Sequence, residues 1–298
     1  MRAGGVRGAI FAVFTPSAGA TSEPLPRADG VLEFAPAPPV GQPVAAAHAG
    51  AAIDLLHALE DAGALRIARQ AADLDAARAG GPPAAVLHLE GAEAIGPAAA
   101  LARAGLEPNQ RVRPRRPVRV PRLARSRPGP DRRRARARAA LRAAAPARRP
   151  QPSQRVRLLG RRPPDAGPLV ASHSGAHALS PCSRNLTDRQ LDAIGASGGL
   201  VGIVFATPFL RADFADDPDT PIELIAEHAR HVAQRIGVAH VALGSDFDGA
   251  TVPAALREAA AIPLVLEALA RTGFTEREID TIAWENWRRV LGRAWNPC

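Results

Sequence analysis

Four residues of this 298-residue chain combine reactive chemistry with a setting that could use it: Glu90, His173, Arg184 and Asp246. Glu90 closes the apolar run "AAVLHLE" and is followed by Gly91. A carboxylate there costs free energy unless it is paired or binds a metal. Taken alone, a strand-end acid facing solvent is the commoner case. His88 lies two residues earlier, on the same strand face; it is a possible second ligand, although a packed core histidine is commoner. His173 sits in "ASHSGAH", and a neutral imidazole at a strand end is a frequent zinc ligand. The Ser-Gly pair before His177 argues against one helix carrying both histidines, which leaves His173 as the candidate ligand and His177 as structural. Asp246 and Asp248 in "SDFDG" could bind metal or move protons; the strand before them favours Asp246, and Asp248 beside Gly249 reads as a turn acid. Arg184 in "SRNLTD" could clamp a carboxylate through its planar fork. His228, His231 and His240 read as packing or surface residues.

These side chains need elements that bring them together. "AIFAVFT" (Ala9–Thr15), "AAVLHLEG" (Ala84–Gly91), "PLVASHS" (Pro168–Ser174), "LVGIVFA" and "HVALGSDFDG" read as strands. Val44 to Arg69 has helical spacing, with Ile53, Leu56 and either Leu59 or Leu55 on one side. "TDRQLDAIGASGG" reads as a helix capped by Thr187, and "TPIELIAEHARHVAQRIG" as one capped by Thr220 with Pro221 at its first position. "AIPLVLEALARTG" and "TEREIDTIAWENWRRVLG" complete the helices, and Gly19–Pro43 reads as a loop. Apolar strands alternating with helices predict a parallel α/β fold. Three strands end in Glu90, His173 and Asp246, and strand ends converge on one site in a (β/α)8 TIM-type barrel. A doubly wound sheet is the alternative, but no Gly-rich phosphate loop follows any strand.

Net charge is the anomaly. The chain carries +9 overall, yet Arg111–Arg162 alone holds 20 Arg against one acid, Asp131, leaving −10 for the remainder. The whole is thus expected to be one acidic barrel domain over residues 1–298, with an Arg/Pro/Ala-rich anomaly at about 107–166. An arginine arm of this kind suggests a nucleic-acid-binding protein with strongly salt-dependent affinity. It also lacks the aromatic residues that stack on single-stranded bases, and it would interrupt the barrel where strands are required. The two cysteines make no CxxC pair. No apolar run is long enough to cross a membrane, and the "AIFAVF" core is too short for a signal peptide, so the expected location is cytoplasmic.

In combination, "HLEGAEAIG", "LVASHSGAHAL…RNLTDRQLDAIGASGGLVGIVF" and "GVAHVALGSDFDG…WENWRRVLG" resemble the membrane (renal-type) dipeptidase family of zinc peptidases, over about Ala3–Ala104 and Gly167–Trp295. The resemblance implies a (β/α)8 barrel with two zinc ions, a dipeptide substrate and a possible homodimer. It implies that Glu90 bridges both metals, that His173 binds one of them, that Arg184 holds the substrate carboxylate and that Asp246 is the acid/base. A family member would also carry a His-x-Asp pair on a first strand, a histidine in an "SHL"-type motif and a further substrate-facing histidine. None is present: the chain begins at the family's next strand, and no histidine lies between His88 and His173. With so few ligands, this polypeptide is expected to be inactive; a barrel remnant without metals is the related alternative.

A one-base change of frame accounts for the arginine run. For Pro128–Ala139 the offset permits P-G-L-T-D-A-G-R-A-L-V-R, a capped amphipathic helix. For Arg148–Asp165 it permits a string containing V-D-L-S-H-L-N, and for Gln110–Pro121 one containing F-G-H-G. Three blocks agree with one offset in family order. Sequencing the locus is expected to reveal compensating frame changes near Leu106–Asn109 and Asp165–Pro168; an uninterrupted frame encoding the arginine run overturns that reading.

Overall fold

A computed structural model of the chain describes residues 1–17, 24–26, 32–34, 38, 40–90, 94 and 167–295. The arginine-rich stretch at 107–166 lies outside the described residues.

The first half is built around a three-stranded parallel sheet. Strand β1 (Gly8–Phe14) pairs in register with β5 (Ala84–Glu90), so that Phe14 faces Glu90, and β5 pairs on its other edge with the short β4 (Arg66–Ile67). Between β1 and β4 come an antiparallel hairpin, β2 (Pro24–Pro26) with β3 (Leu32–Phe34), and helix α1 (Gln42–Asp61). The loop expected over Gly19–Pro43 therefore contains a hairpin and the first turn of α1. Helix α1 also ends sooner than its spacing suggests. Gly63 adopts a left-handed φ of 68°, and beyond it Leu65 and Ile67 turn inward with β4. Ile53 and Leu56 are buried as expected, whereas Leu55 faces out. Helix α2 (Ala71–Arg78) escapes the pattern reading because its alanines define no apolar face.

The second half repeats the parallel arrangement. Strands β6 (Val170–Ser174), β7 (Leu200–Ile203) and β8 (Val241–Leu243) lie side by side in that order. Helix α3 (Asp188–Ala196) starts at Thr187, whose side chain exchanges a capping box with Gln190. After β7 come the short α4 (Thr207–Leu210) and then α5 (Glu223–Ile236). The expected cap Thr220 instead donates its hydroxyl to the Asp217 carbonyl within a turn, at 2.6 Å, and α5 begins later. Leu191, Ile194, Val201, Ile203, Phe205, Ile225, Val232, Val241 and Leu269 fill the core between this sheet and its helices.

Helix α6 (Ile262–Arg271) leads to α7 (Glu276–Asp280), a π-helical turn at Thr281–Glu285, and α8 (Asn286–Trp295). The periodicity predicts one helix here. The wider turn is a π-bulge, of the kind that often sits at functional ends of helices. After it, Asn286 donates to the carbonyls of Val238 and Val241, and the Trp287 indole donates to Leu243, the last residue of β8.

Helix α8 and the turn before it also pack against the first half. Trp284, Leu291 and Trp295 pack over Leu74, Ala77 and Ala84 of the first half. Arg288 pairs with Asp75, and Arg78 pairs with Asp280. Such exposed pairs contribute at most about 1 kcal/mol each, so the apolar seam carries the contact. Among the described residues, no helix is long and apolar enough to cross a membrane.

Candidate active site

Parallel pairing puts the C-terminal ends of neighbouring strands on one side, and both triplets deliver polar side chains there. Glu90 ends β5, and His173 is the penultimate residue of β6. The two meet across the halves, with His173 Nε2 3.5 Å from Glu90 Oε1, both side chains partly buried. On its other side, His173 Nδ1 is 2.9 Å from Ser172 Oγ. With the Nδ1 proton on that hydroxyl, the Nε2 lone pair faces Glu90. Arg184 Nη2 also reaches His173 Nε2, at 3.4 Å, while its guanidinium lies 5.4 Å from the centre of the Phe209 ring. Three of the four sequence-predicted residues thus form one cluster.

The local backbone explains why His173 points there. The β6–β7 register shifts between Ala171 and Ser174, and such a bulge re-aims the side chains it contains. Room for it comes from two glycines. A Cβ on Gly202 would lie 2.0 Å from the Ser172 carbonyl oxygen, and one on Gly244 would lie 2.1 Å from the same atom. No other residue fits at either position without moving β6.

Asp246 follows β8 by three residues and has a left-handed φ of 57°; Asp248 has one of 66°. Non-glycine residues in this region are strained and cluster at functional sites. Phe247, between them, stacks edge-on against buried Phe205 at 5.8 Å. The Asp246 carboxylate lies over Gly249, where a Cβ would be 2.5 Å from Oδ1. Among the described residues, Asp246 shares no hydrogen bond or ion pair with Glu90, His173 or Arg184. His88, on the Glu90 face of β5, is held below the usual histidine range mainly by burial, with neighbouring His173 adding to the shift and Glu90 opposing it.

A carboxylate and an imidazole are suitable zinc donors, so Glu90 and His173 fit one corner of a metal site. They do not complete one: among the described residues, no group of three or more His, Cys, Asp or Glu side chains could hold a metal ion.

Sequence reasoning missed the residues that hold the loop after β6. His228, read as packing or surface, is fully buried; its Nδ1 accepts from the Ala176 amide at 2.8 Å, and its Nε2 donates to the Leu210 carbonyl at 3.0 Å. Asn185 accepts from the Gly175 amide at 2.8 Å and donates to the carbonyls of Ser180 and Phe209. The adjacency of Asn185 to Arg184 was the available signal. His177, read as structural, donates its amide to Leu186, while His231 and His240 contact Asp188 and the Gly199 carbonyl.

The two parallel strand triplets, with Glu90 and His173 toward their C-terminal ends, are part of a TIM-barrel fold of the metal-dependent hydrolase kind, which the solved structures below share. Residues 166–296 match the family model described as membrane dipeptidase, Peptidase family M19. Two solved structures agree. One is dipeptidase AC, a metallopeptidase of family M19, with 29% identity and a TM-score of 0.72, covering 99% of this chain and 88% of its own. The other, a metallopeptidase from Rhodobacter sphaeroides bound to a phosphinate mimic of the dipeptide L-Ala-D-Ala, has 28% identity and a TM-score of 0.72, covering 99% and 89%. An uncharacterised Klebsiella pneumoniae protein from the pqqA 5′ region is 49% identical over 128 residues, 43% of this chain and 47% of that protein. The second half of the chain is thus similar to the membrane dipeptidase family, and the matched part spans less than half the length of that curated relative.

Burial holds the His228 pKa down at about 4, with His231 adding to the depression and the Leu210 hydrogen bond opposing it. A histidine depressed below its unfolded value near 6.5 binds more protons unfolded than folded between those limits. Its neutral form therefore contributes stability that is complete above about pH 6.5 and is lost as pH falls toward about 4. Urea unfolding across this window is expected to show a decline on the order of 3 kcal/mol, flattened in His228→Asn. An equally steep decline in that variant contradicts the assignment.

Proposed function

We propose that this chain has the design of a zinc dipeptidase acting on short peptides with a free carboxyl end. The observation that carries the reading is the meeting of Glu90, His173 and Arg184, residues remote in sequence, at the C-terminal ends of parallel strands. The dipeptide mimic bound by the Rhodobacter sphaeroides neighbour supports the substrate class, as does the family.

In this reading Glu90 and His173 would be the residues that hold metal, the His173 ring oriented by Ser172. Zinc bound there, two ions by the family resemblance, would supply Lewis acidity and an activated water. Arg184 would offer its guanidinium fork to the terminal carboxylate; its contact with His173 supports that role. Asp246 receives and returns a proton at the leaving amine; its backbone and Gly249 fix where the carboxylate sits. A homodimer is consistent with the family reading.

In this reading the described residues offer too few donors to complete this chemistry. No histidine occurs between His88 and His173, and Glu90 and His173 alone leave metal binding weak. The segment at about 107–166 is out-of-frame translation in this account, not a nucleic-acid arm. Saturation-transfer NMR on the purified chain is expected to detect weak L-Ala-D-Ala binding, at least about tenfold weaker for Arg184→Met or for the C-terminal amide, without hydrolysis above the blank. Equal binding of acid and amide contradicts the substrate class, and turnover with zinc contradicts the loss of activity.

A further inference from the structure

The loop that carries Arg184 is tied down at two successive backbone amides. Gly175 N–H donates to Asn185 Oδ1 and Ala176 N–H to His228 Nδ1, each at 2.8 Å. Both acceptors are about 1% exposed. A Cβ at Gly175 would lie 2.7 Å from the first acceptor and 2.9 Å from the second, so glycine alone lets them close together over the chain. The far ends of the two side chains are fixed as well. Asn185 donates to the carbonyls of Ser180 and Phe209, and His228 Nε2 donates to Leu210. Because Nδ1 accepts, the proton must be on Nε2, and the ring is the neutral Nε2–H tautomer.

These ties surround Arg184. Its carbonyl accepts from Ser174 Oγ at 2.9 Å. Its guanidinium stacks on Phe209, whose carbonyl Asn185 holds, and its Nη2 reaches His173. Simple satisfaction of buried polar groups would account for the hydrogen bonds. It would not account for their convergence on the chain before Arg184, the residue after it and the backbone of the ring beneath it. We propose that Asn185 and His228 are positioning residues, a two-point clamp on the Gly175 and Ala176 amides that sets the Arg184 guanidinium against His173. The link to catalysis rests on the carboxylate-binding role proposed for Arg184; the clamp itself does not.

The test uses the full chain, isotope-labelled, and two variants that separate the halves of the ring. His228→Asn keeps an acceptor at the place of Nδ1, whereas His228→Gln keeps a donor at the place of Nε2. Both are expected to lower Tm. Only His228→Gln should speed amide exchange at Ala176, by about tenfold or more, and move the ring-shifted Arg184 Nε–H signal toward its free position; His228→Asn should rescue both. An Arg184 signal unmoved in His228→Gln, or moved equally in both variants, overturns the proposal. So does an Nδ1–H tautomer for His228 in the unmodified chain, a measurement that stands even where a variant does not fold. Adding N-acetylglycine separates the two readings. An Arg184 signal that ignores this carboxylate in the unmodified chain removes the substrate role, while the rescue pattern still supports the clamp.

Discussion

The contact between Glu90 and His173 is the constraint on which the rest depends. The two belong to separate parallel triplets, β1–β5–β4 and β6–β7–β8, yet stand 3.5 Å apart. Each half alone would present only part of the cluster, Glu90 from the first and His173 with Arg184 from the second. Seating α8 against the first half by apolar packing holds the triplets together from the outside. The partial burial of both side chains then makes their separation costly, because a half-buried carboxylate without a partner is unfavourable.

Secondary features serve that meeting. The bulge in β6 turns His173, and the bare backbones of Gly202 and Gly244 admit the bulge. Past the bulge, the amide clamp returns Arg184 over the same imidazole. On β8 the π-turn before α8 lets Trp287 hold Leu243, and the strained loop beyond it carries Asp246. Each device acts at the C-terminal end of a strand, where a (β/α)8 barrel keeps its chemistry while the opposite end supplies stability.

Much of this was legible in the sequence. Apolar runs marked β1, β5 and β6, with Glu90 ending β5 and His173 next to last in β6. Thr187 with Gln190 gave the start of α3. Other features depend on partners that local pattern cannot reveal. Helix α2 is too rich in alanine to show a face, and β4 merged with α1 because the left-handed turn at Gly63 leaves the apolar spacing unbroken. The second half of the clamp joins Ala176 to His228, whose sequence surroundings are those of any amphipathic helix. The π-turn substitutes for a regular helix with no change in periodicity.

Charge, the loudest signal in the composition, was the least informative about the site. The arginine-rich segment dominates the net charge of +9, while the described cluster depends on one arginine, Arg184. The account stands most directly on whether Glu90 and His173 act as one unit. Calorimetric titration with zinc of the unmodified chain, Glu90→Gln, His173→Ala and the double variant measures this. The account predicts weak saturable binding that either single substitution abolishes and the double worsens no further. Zinc bound as tightly by either single variant as by the unmodified chain would contradict it.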